Sequence, residues 1–306
     1  MGDINRALDK LEQLREVWEQ NQSDVWGVPT GFKALDHITG GLHRGEVFVV
    51  GARTSHGKTA LANQIAFNVV KNIAVESARE GIKTGQVMLF SPEMSAHMLM
   101  MRQASILSQV PINSIRRGNA TEEEKEAWQK AIRLLRLYDP YVHIKAQGDM
   151  SVQDIVTYVE TQHQGSGTET KLVVIDYVQY LTSASGKDNS YEQVSGVTKE
   201  IKDMANRLEI PVLLLSQMNR KAAQNHDDEG EDVPELHELE GSGKIEARAD
   251  VVGLLWRPNK VTDAADTDPQ KALIRIGKNR NGPVGIATLF YYPALTMFVD
   301  GPEYAT

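Results

Sequence analysis

The chain is 306 residues long, 41% hydrophobic and 24% charged, with a formal net charge of −8 and no cysteine. No stretch approaches the ~18 consecutive apolar residues of a membrane span, and the N-terminus lacks a secretory hydrophobic region, so a soluble, cytoplasmic protein without membrane contact is expected. The missing cysteines exclude disulfides and thiolate metal sites, and the acidic balance argues against a surface broadly coated in nucleic acid while leaving room for a narrow basic site.

Residues 3–20 place Ile4, Ala7, Leu8, Leu11, Leu14, Val17 and Trp18 three and four apart with polar residues between them, which predicts an amphipathic helix. Asn21 to Pro29 then reads as a linker, giving an isolated helix over 1–21 and one large domain over 22–306. A helix this short is marginal in water unless packed, so its stripe needs either its own domain or a neighbouring subunit.

After a glycine-rich approach from Val28 to Glu46, residues Val47 to Leu61 read V-F-V-V-G-A-R-T-S-H-G-K-T-A-L. This is an apolar strand, a loop of mostly small residues, and a helix start. In such a loop consecutive backbone N–H groups, here of Ser55, His56, Gly57 and Ala60, surround an anion together with the positive end of the helix. Lys58 is placed to reach the β/γ-phosphates of a nucleoside triphosphate, and the Thr59 hydroxyl to ligate Mg²⁺. Ala52 stands where the motif asks for glycine.

A helix over about 58–78 and a strand over 86–91 follow, the strand running into F-S-P-E-M-S. Glu93 at that strand end is a candidate to orient and deprotonate a water beside the γ-phosphate; the alternative is an ordinary acid at a helix start. Arg102 lies on the next helix, 96–109. Thr121 to Glu124 is a capping box opening a helix to Leu137, and its acidic first turn needs no functional explanation. A strand over 141–145 and a helix over 152–163 come next.

Lys171 to Asp176 is an apolar, β-branched run ending in an acid, the pattern of a strand buried on both faces in a parallel sheet. Asp176 at its carboxyl end can hold Mg²⁺ through the ion's water shell. A loop over 182–190, a helix over 191–208 and a strand over 210–216 lead to Gln217, a candidate contact for the γ-phosphate or attacking water. Residues 219–240 have the composition of a mobile segment, with Arg220 and Lys221 followed by many acids. Gly241 to Asp250 leads into a strand over 251–256, and further strands are expected near 272–278, 285–291 and 296–299. Lys278 and Arg280 sit in a turn between two of these. They are either a solvated basic hairpin or cations reaching a phosphate bound by another subunit.

Seven blocks resemble, in order, the C-terminal motor domain of DnaB-type replicative helicases: V-P-T-G-F-K-A-L-D (28–36), A-R-T-S-H-G-K-T (52–59), F-S-P-E-M-S with M-M-R (90–102), V-V-I-D-Y-V-Q (173–179), L-S-Q-M-N-R (215–220), S-G-K-I-E-A-R-A-D (242–250) and K-N-R-N-G-P-V-G (278–285). The resemblance covers nearly all of residues 28–300, and alanine at the start of the phosphate loop is usual in that family. It implies an α/β, RecA-like P-loop NTPase core with a mostly parallel central sheet, preceded by the isolated helix. It further implies a homo-hexameric ring that hydrolyses ATP with Mg²⁺ at sites between subunits. Such a ring travels on single-stranded DNA, 5′ to 3′, and unwinds duplex at the replication fork of a bacterial cell or phage-infected host.

Carried over by position, Lys58, Thr59 and Asp176 bind phosphate and metal, Glu93 is the base, Gln217 the γ-phosphate sensor, Arg102 a lesser nucleotide contact, and Lys278 and Arg280 the trans-acting cations. Lys187, Asn219, Arg220 and Lys221 would meet DNA backbone phosphates from loops near 182–190 and 218–225. Primase and a helicase loader are the further partners such proteins have. The helical N-terminal domain usual in the family is missing from this sequence, so the chain is either a fragment or a naturally short helicase. His56 and Thr54 replace the usual Met and Pro. A RecA-like recombination ATPase and an ATP-gated ring without DNA binding are the competing readings.

Overall fold

The computed structural model describes residues 4, 5, 8, 11, 12, 15, 25–146, 148, 150–165, 167–176, 178, 181, 190–218, 233–239, 242–258 and 268–304. A nine-stranded sheet runs through the domain in the order β3-β2-β4-β5-β1-β6-β7-β8-β9. The strands are β1 (Val47–Ala52), β2 (Gln86–Ser91), β3 (Val142–Ala146), β4 (Thr170–Ile175), β5 (Val212–Gln217), β6 (Val251–Trp256), β7 (Gln270–Asn279), β8 (Gly285–Tyr292) and β9 (Met297–Asp300). Neighbours from β3 to β6 are parallel, and β6 to β9 add an antiparallel edge. The α/β class and mostly parallel sheet agree with the sequence reading.

Eight helices are described: α1 (Lys33–Thr39), α2 (Lys58–Glu80), α3 (Ala96–Ser108), α4 (Ile112–Arg116), α5 (Glu122–Tyr138), α6 (Val152–Gly165), α7 (Ser190–Leu208) and α8 (Ser242–Arg248). The period-two alternation of the strands divides the core. Phe48, Val50 and Leu89 join Leu61, Ile65 and Val69 of α2 on one face, while Val47, Val49 and Met88 join Ile155 of α6 and Ile201 of α7 on the other. Both faces are therefore covered, which is why β1 reads as unbroken apolar sequence and every one of its residues is buried.

Local signals hold where they are strong. Thr121 caps α5 by accepting from the Glu124 N–H at 3.2 Å, while the Glu124 carboxylate accepts from the Thr121 N–H at 2.8 Å. Two helices go unread in the sequence. α4 is a single turn after Pro111, too short for periodicity; α8 contains Gly243 and forms because Ile245 and Ala249 bury against the α7 side of the sheet. The helical residues 4, 5, 8, 11, 12 and 15 carry Ile4, Leu8 and Leu11 exposed to solvent. The loop read over 182–190 lies outside the described residues except Ser190, and most of 219–240 does so too.

Candidate active site

The chain leaves β1 for β2 on one side and enters β6 on the other, so β1 marks the point where strand order reverses, the place where ligands collect in open α/β sheets. Strand register brings the functional positions to its carboxyl end. Gln217 lies opposite Ala52. Asp176 follows β4, and its N–H donates to the Phe90 carbonyl of β2 at 2.9 Å, three residues before Glu93.

Between β1 and α2 the loop turns through Ser55 at φ 67° and Gly57 at φ 98°. Glycine is required at 57 twice over: the backbone lies in the left-handed half of the map, and a Cβ there would stand 2.8 Å from Cζ of Phe298. α2 then starts at Lys58 with no side-chain cap and no acid in its first turn, in contrast to the capped, glutamate-rich start of α5. Its amino end keeps an unneutralised positive dipole directed at the loop.

A cleft of about 410 Å³ opens there, lined by Ser55, Gly57, Lys58, Thr59 and Ala60 from the loop and α2, with Glu93, Arg102, Gln217 and Tyr291 around it. Burial pushes the Lys58 ammonium pKa down, against the pull of the Asp176 and Glu93 charges. Burial raises the Glu93 carboxyl, with Asp176 adding to it and Lys58 and Arg102 opposing. It raises Asp176 as well, and lowers the Arg102 guanidinium. Two acids and two cations thus share a partly desolvated space: burial disfavours the charge on each, the cations favour the charged acids, and the acids favour the charged cations. Gln217 Nε2 donates to Thr54 Oγ1 at 3.2 Å, linking the end of β5 to the loop.

For a divalent ion the donors are suitable. Both Asp176 oxygens are buried without a hydrogen-bond partner, and the Thr59 hydroxyl lies beside them without closing a bond of good geometry. Among the described residues no cluster of three or more His, Asp or Glu forms a protein-only cage. That suits Mg²⁺, which keeps waters and shares phosphate oxygens.

Three sequence assignments fare differently. The sequence reading assigns His56 a backbone N–H facing the ligand; its side chain turns under the loop, only 2% exposed, with its ring stacked on Trp256. Lys278 and Arg280 do not enter the cleft of their own chain. Phe48 pairs with Val251 and Val251 with Asn279, so they sit by the amino end of β1, roughly 13 Å of strand from Ala52. There the Lys278 ammonium donates to the Ala249 carbonyl at 2.7 Å and to that of Glu246, at the end of α8. Arg280 Nη1 meets Asp250 Oδ1 at 3.1 Å, with half its side chain exposed. Lys187, Asn219, Arg220 and Lys221 lie outside the described residues. Conversely, Arg53, Thr54 and Met94, which stand inside the quoted motifs without an assigned role, line the cleft, and so does Tyr291, which was not legible. Tyr291 reads as an alternating strand residue, and only the sheet's antiparallel edge carries it to Gly57.

Residues 27–300 match the DnaB-like helicase C terminal domain. The chain belongs to this family. It is similar to "Replicative DNA helicase DnaC" of Bacillus subtilis (strain 168), 33% identical over 297 residues, and to "Replicative DNA helicase DnaB" of Geobacillus stearothermophilus, 32% identical over 297 residues. Each comparison covers 96% of this chain and 60% of the relative, so the chain spans about three fifths of the length of these relatives. Among solved structures it is similar to the ATPase domain of G40P, with a TM-score of 0.81 and 28% identity, covering 98% of this chain and 99% of that one. A DnaB-like replicative helicase studied for its interactions with primase aligns with a TM-score of 0.78 and 28% identity over 98% of this chain and 67% of its own. Family membership accounts for the motif order along the matched residues 27–300.

Proposed function

We propose that the chain is the ATP-hydrolysing motor of a hexameric replicative DNA helicase, moving 5′ to 3′ on single-stranded DNA in the cytoplasm of a bacterial cell or phage-infected host. The observation that carries this reading is the separation of charges. Lys58, Thr59, Glu93, Arg102, Asp176 and Gln217 gather at one end of the sheet, while the basic pair of Lys278 and Arg280 stays outside that cleft with Arg280 half exposed. A site completed by a neighbour's cations needs that arrangement.

In this mechanism the loop N–H groups and Lys58 hold the triphosphate, and Glu93 orients the attacking water and takes its proton. The raised pKa of Glu93 makes it a better base than an ordinary carboxylate. Thr59 and Asp176 would hold Mg²⁺, which when bound offsets charge on the phosphate oxygens. The neighbour's Arg280, with Lys278 beside it, stabilises the negative charge of the transition state. Gln217 is in reach of the same loop through Thr54, so gain and loss of the γ-phosphate change its partners and shift the segment that follows β5. That segment, with residues 182–190, would carry the contacts of Lys187, Asn219, Arg220 and Lys221 to DNA. The exposed stripe of Ile4, Leu8 and Leu11 would dock on the adjacent subunit, and primase or a loader would meet the assembled ring.

ATP turnover with and without single-stranded DNA, on protein whose assembly mass is recorded with ATP and Mg²⁺, tests the proposal. A hexamer with DNA-stimulated turnover and strand displacement is expected. Turnover indifferent to DNA would replace the motor by an ATP-gated ring, and open filaments on DNA would replace it by a recombination ATPase.

A further inference from the structure

His56 is a phosphate-loop residue whose side chain the mechanism leaves unused. Its ring stacks on the indole of Trp256 with centroids 4.6 Å apart and planes at 19°. Its Nδ1 accepts the backbone N–H of Arg257 at 3.1 Å, so the ring's own proton sits on Nε2. Trp256 ends β6, the strand beside β1, and Leu255 pairs with Ala52 where the loop begins. The guanidinium of Arg53, which lines the cleft, also lies over the Trp256 ring, 5.9 Å from its centroid. Two loop residues therefore rest on one fully buried indole.

The loop needs such an anchor. Ser55 and Gly57, on either side of His56, both have positive φ, and a non-glycine residue in that region is held only when its surroundings over-determine it. Inside the loop the His56 N–H donates to the Arg53 carbonyl at 3.3 Å, closing a turn that the side chain then ties to β6. An apolar ring would fill the same space. What histidine adds is an acceptor for a backbone N–H at the point where β6 ends and ladder partners run out.

We propose that His56 is a positioning residue of the phosphate loop, setting the donor geometry of residues 53–57 through its stack on Trp256 and its hydrogen bond from Arg257. The inference rests on the reading of this loop as the triphosphate site. It assigns the histidine ring a role in nucleotide affinity without side-chain contact to the nucleotide, and makes the end of β6 a second support of the loop besides β1.

Three substitutions in the full chain separate its parts. His56→Phe keeps a stacking ring and removes the acceptor, His56→Asn puts Oδ1 where Nδ1 was, and His56→Ala removes both. The readouts are KM and kcat for ATP with Mg²⁺, and the melting temperature with and without ATP. The expected result is a KM raised roughly tenfold by Phe and more by Ala with kcat nearly kept, and recovery toward wild type by Asn. An unchanged KM in all three variants, or an Asn variant no better than Phe, would overturn the assignment, because simple core packing lowers the melting temperature without touching KM. Lys58→Ala, measured alongside, isolates the underlying reading: ATP binding retained in that variant refutes the loop as the phosphate site. Binding lost there but unaffected by His56 changes refutes only the positioning role.

Discussion

Gly57→Ala puts the smallest possible side chain into the centre of the loop, and its cost can be built from the coordinates. At φ 98° the residue lies beyond the usual left-handed well, and holding a non-glycine residue there costs about 1–3 kcal/mol. The new Cβ would stand 2.8 Å from Cζ and 3.2 Å from Cε2 of Phe298. That ring is fully buried and packs on Tyr291 at 4.7 Å between centroids, so it cannot swing away, and overpacking of this kind costs about 1–3 kcal/mol more. A backbone that stays in place therefore loses about 2–6 kcal/mol, a fall of roughly 3–10 °C in melting temperature for a domain of this size. A backbone that moves to escape the contact misaligns the N–H groups of the loop, and the loss passes to ATP affinity. Thermal unfolding with and without ATP and Mg²⁺ measures both. Combining Gly57→Ala with Phe298→Leu should return the steric part and leave the part due to φ. A Gly57→Ala protein that melts and binds ATP like wild type would refute the argument.

Other outcomes follow from the same geometry. Glu93→Gln should lower kcat by roughly 10²–10⁴ with ATP binding kept, and remove an acidic limb of the rate profile that lies above the ordinary carboxylate range; an unchanged pH–rate profile would exclude Glu93 as the base. Asp36 is buried beneath the N–H groups of Thr30 and Gly31, and burial raises its pKa to about 6 from 3.8. A raised folded pKa means the native state holds the proton more tightly, so stability rises as pH falls through 6 and the gain, about 3 kcal/mol in full, is complete only below 3.8. Wild type should thus gain on Asp36→Asn in melting temperature between pH 7 and pH 4.5, and parallel curves would contradict it. Thr121→Ala removes one half of the α5 capping box and should cost about 1 kcal/mol in chemical denaturation without changing ATP turnover.

What the sequence discloses here is local in character. The strand, loop and helix around Lys58, the apolar strands on either side and the Thr121 box each declare themselves within fifteen residues, because period, capping and glycine placement act over that range. Asp176 and Glu93 could be matched to the loop once both were seen to end apolar strands, since a parallel sheet gathers such ends on one side. The contents of the cleft wall were hidden for the opposite reason. Tyr291 and Phe298 meet Gly57 across more than 230 residues, and His56 finds Trp256 across 200, so no window of sequence holds both partners. The helix α8 was hidden because Gly243 weakens its pattern and its stability comes from burying Ile245 and Ala249. The distance of Arg280 from its own cleft depends on strand order, which the sequence does not state.

The central claim, that each ATP site is completed by a neighbour's Arg280, is tested most directly by mixing two inactive variants. Lys58→Ala removes the phosphate contact and Arg280→Ala the trans cation, and each alone should be without turnover. In a ring assembled from equal amounts of both, about a quarter of the interfaces pair an intact Lys58 with an intact Arg280 if subunits mix at random. ATP turnover well above the sum of the separate variants is the result expected. A mixture as inactive as its components, under conditions where exchange of labelled subunits is observed, would contradict the claim.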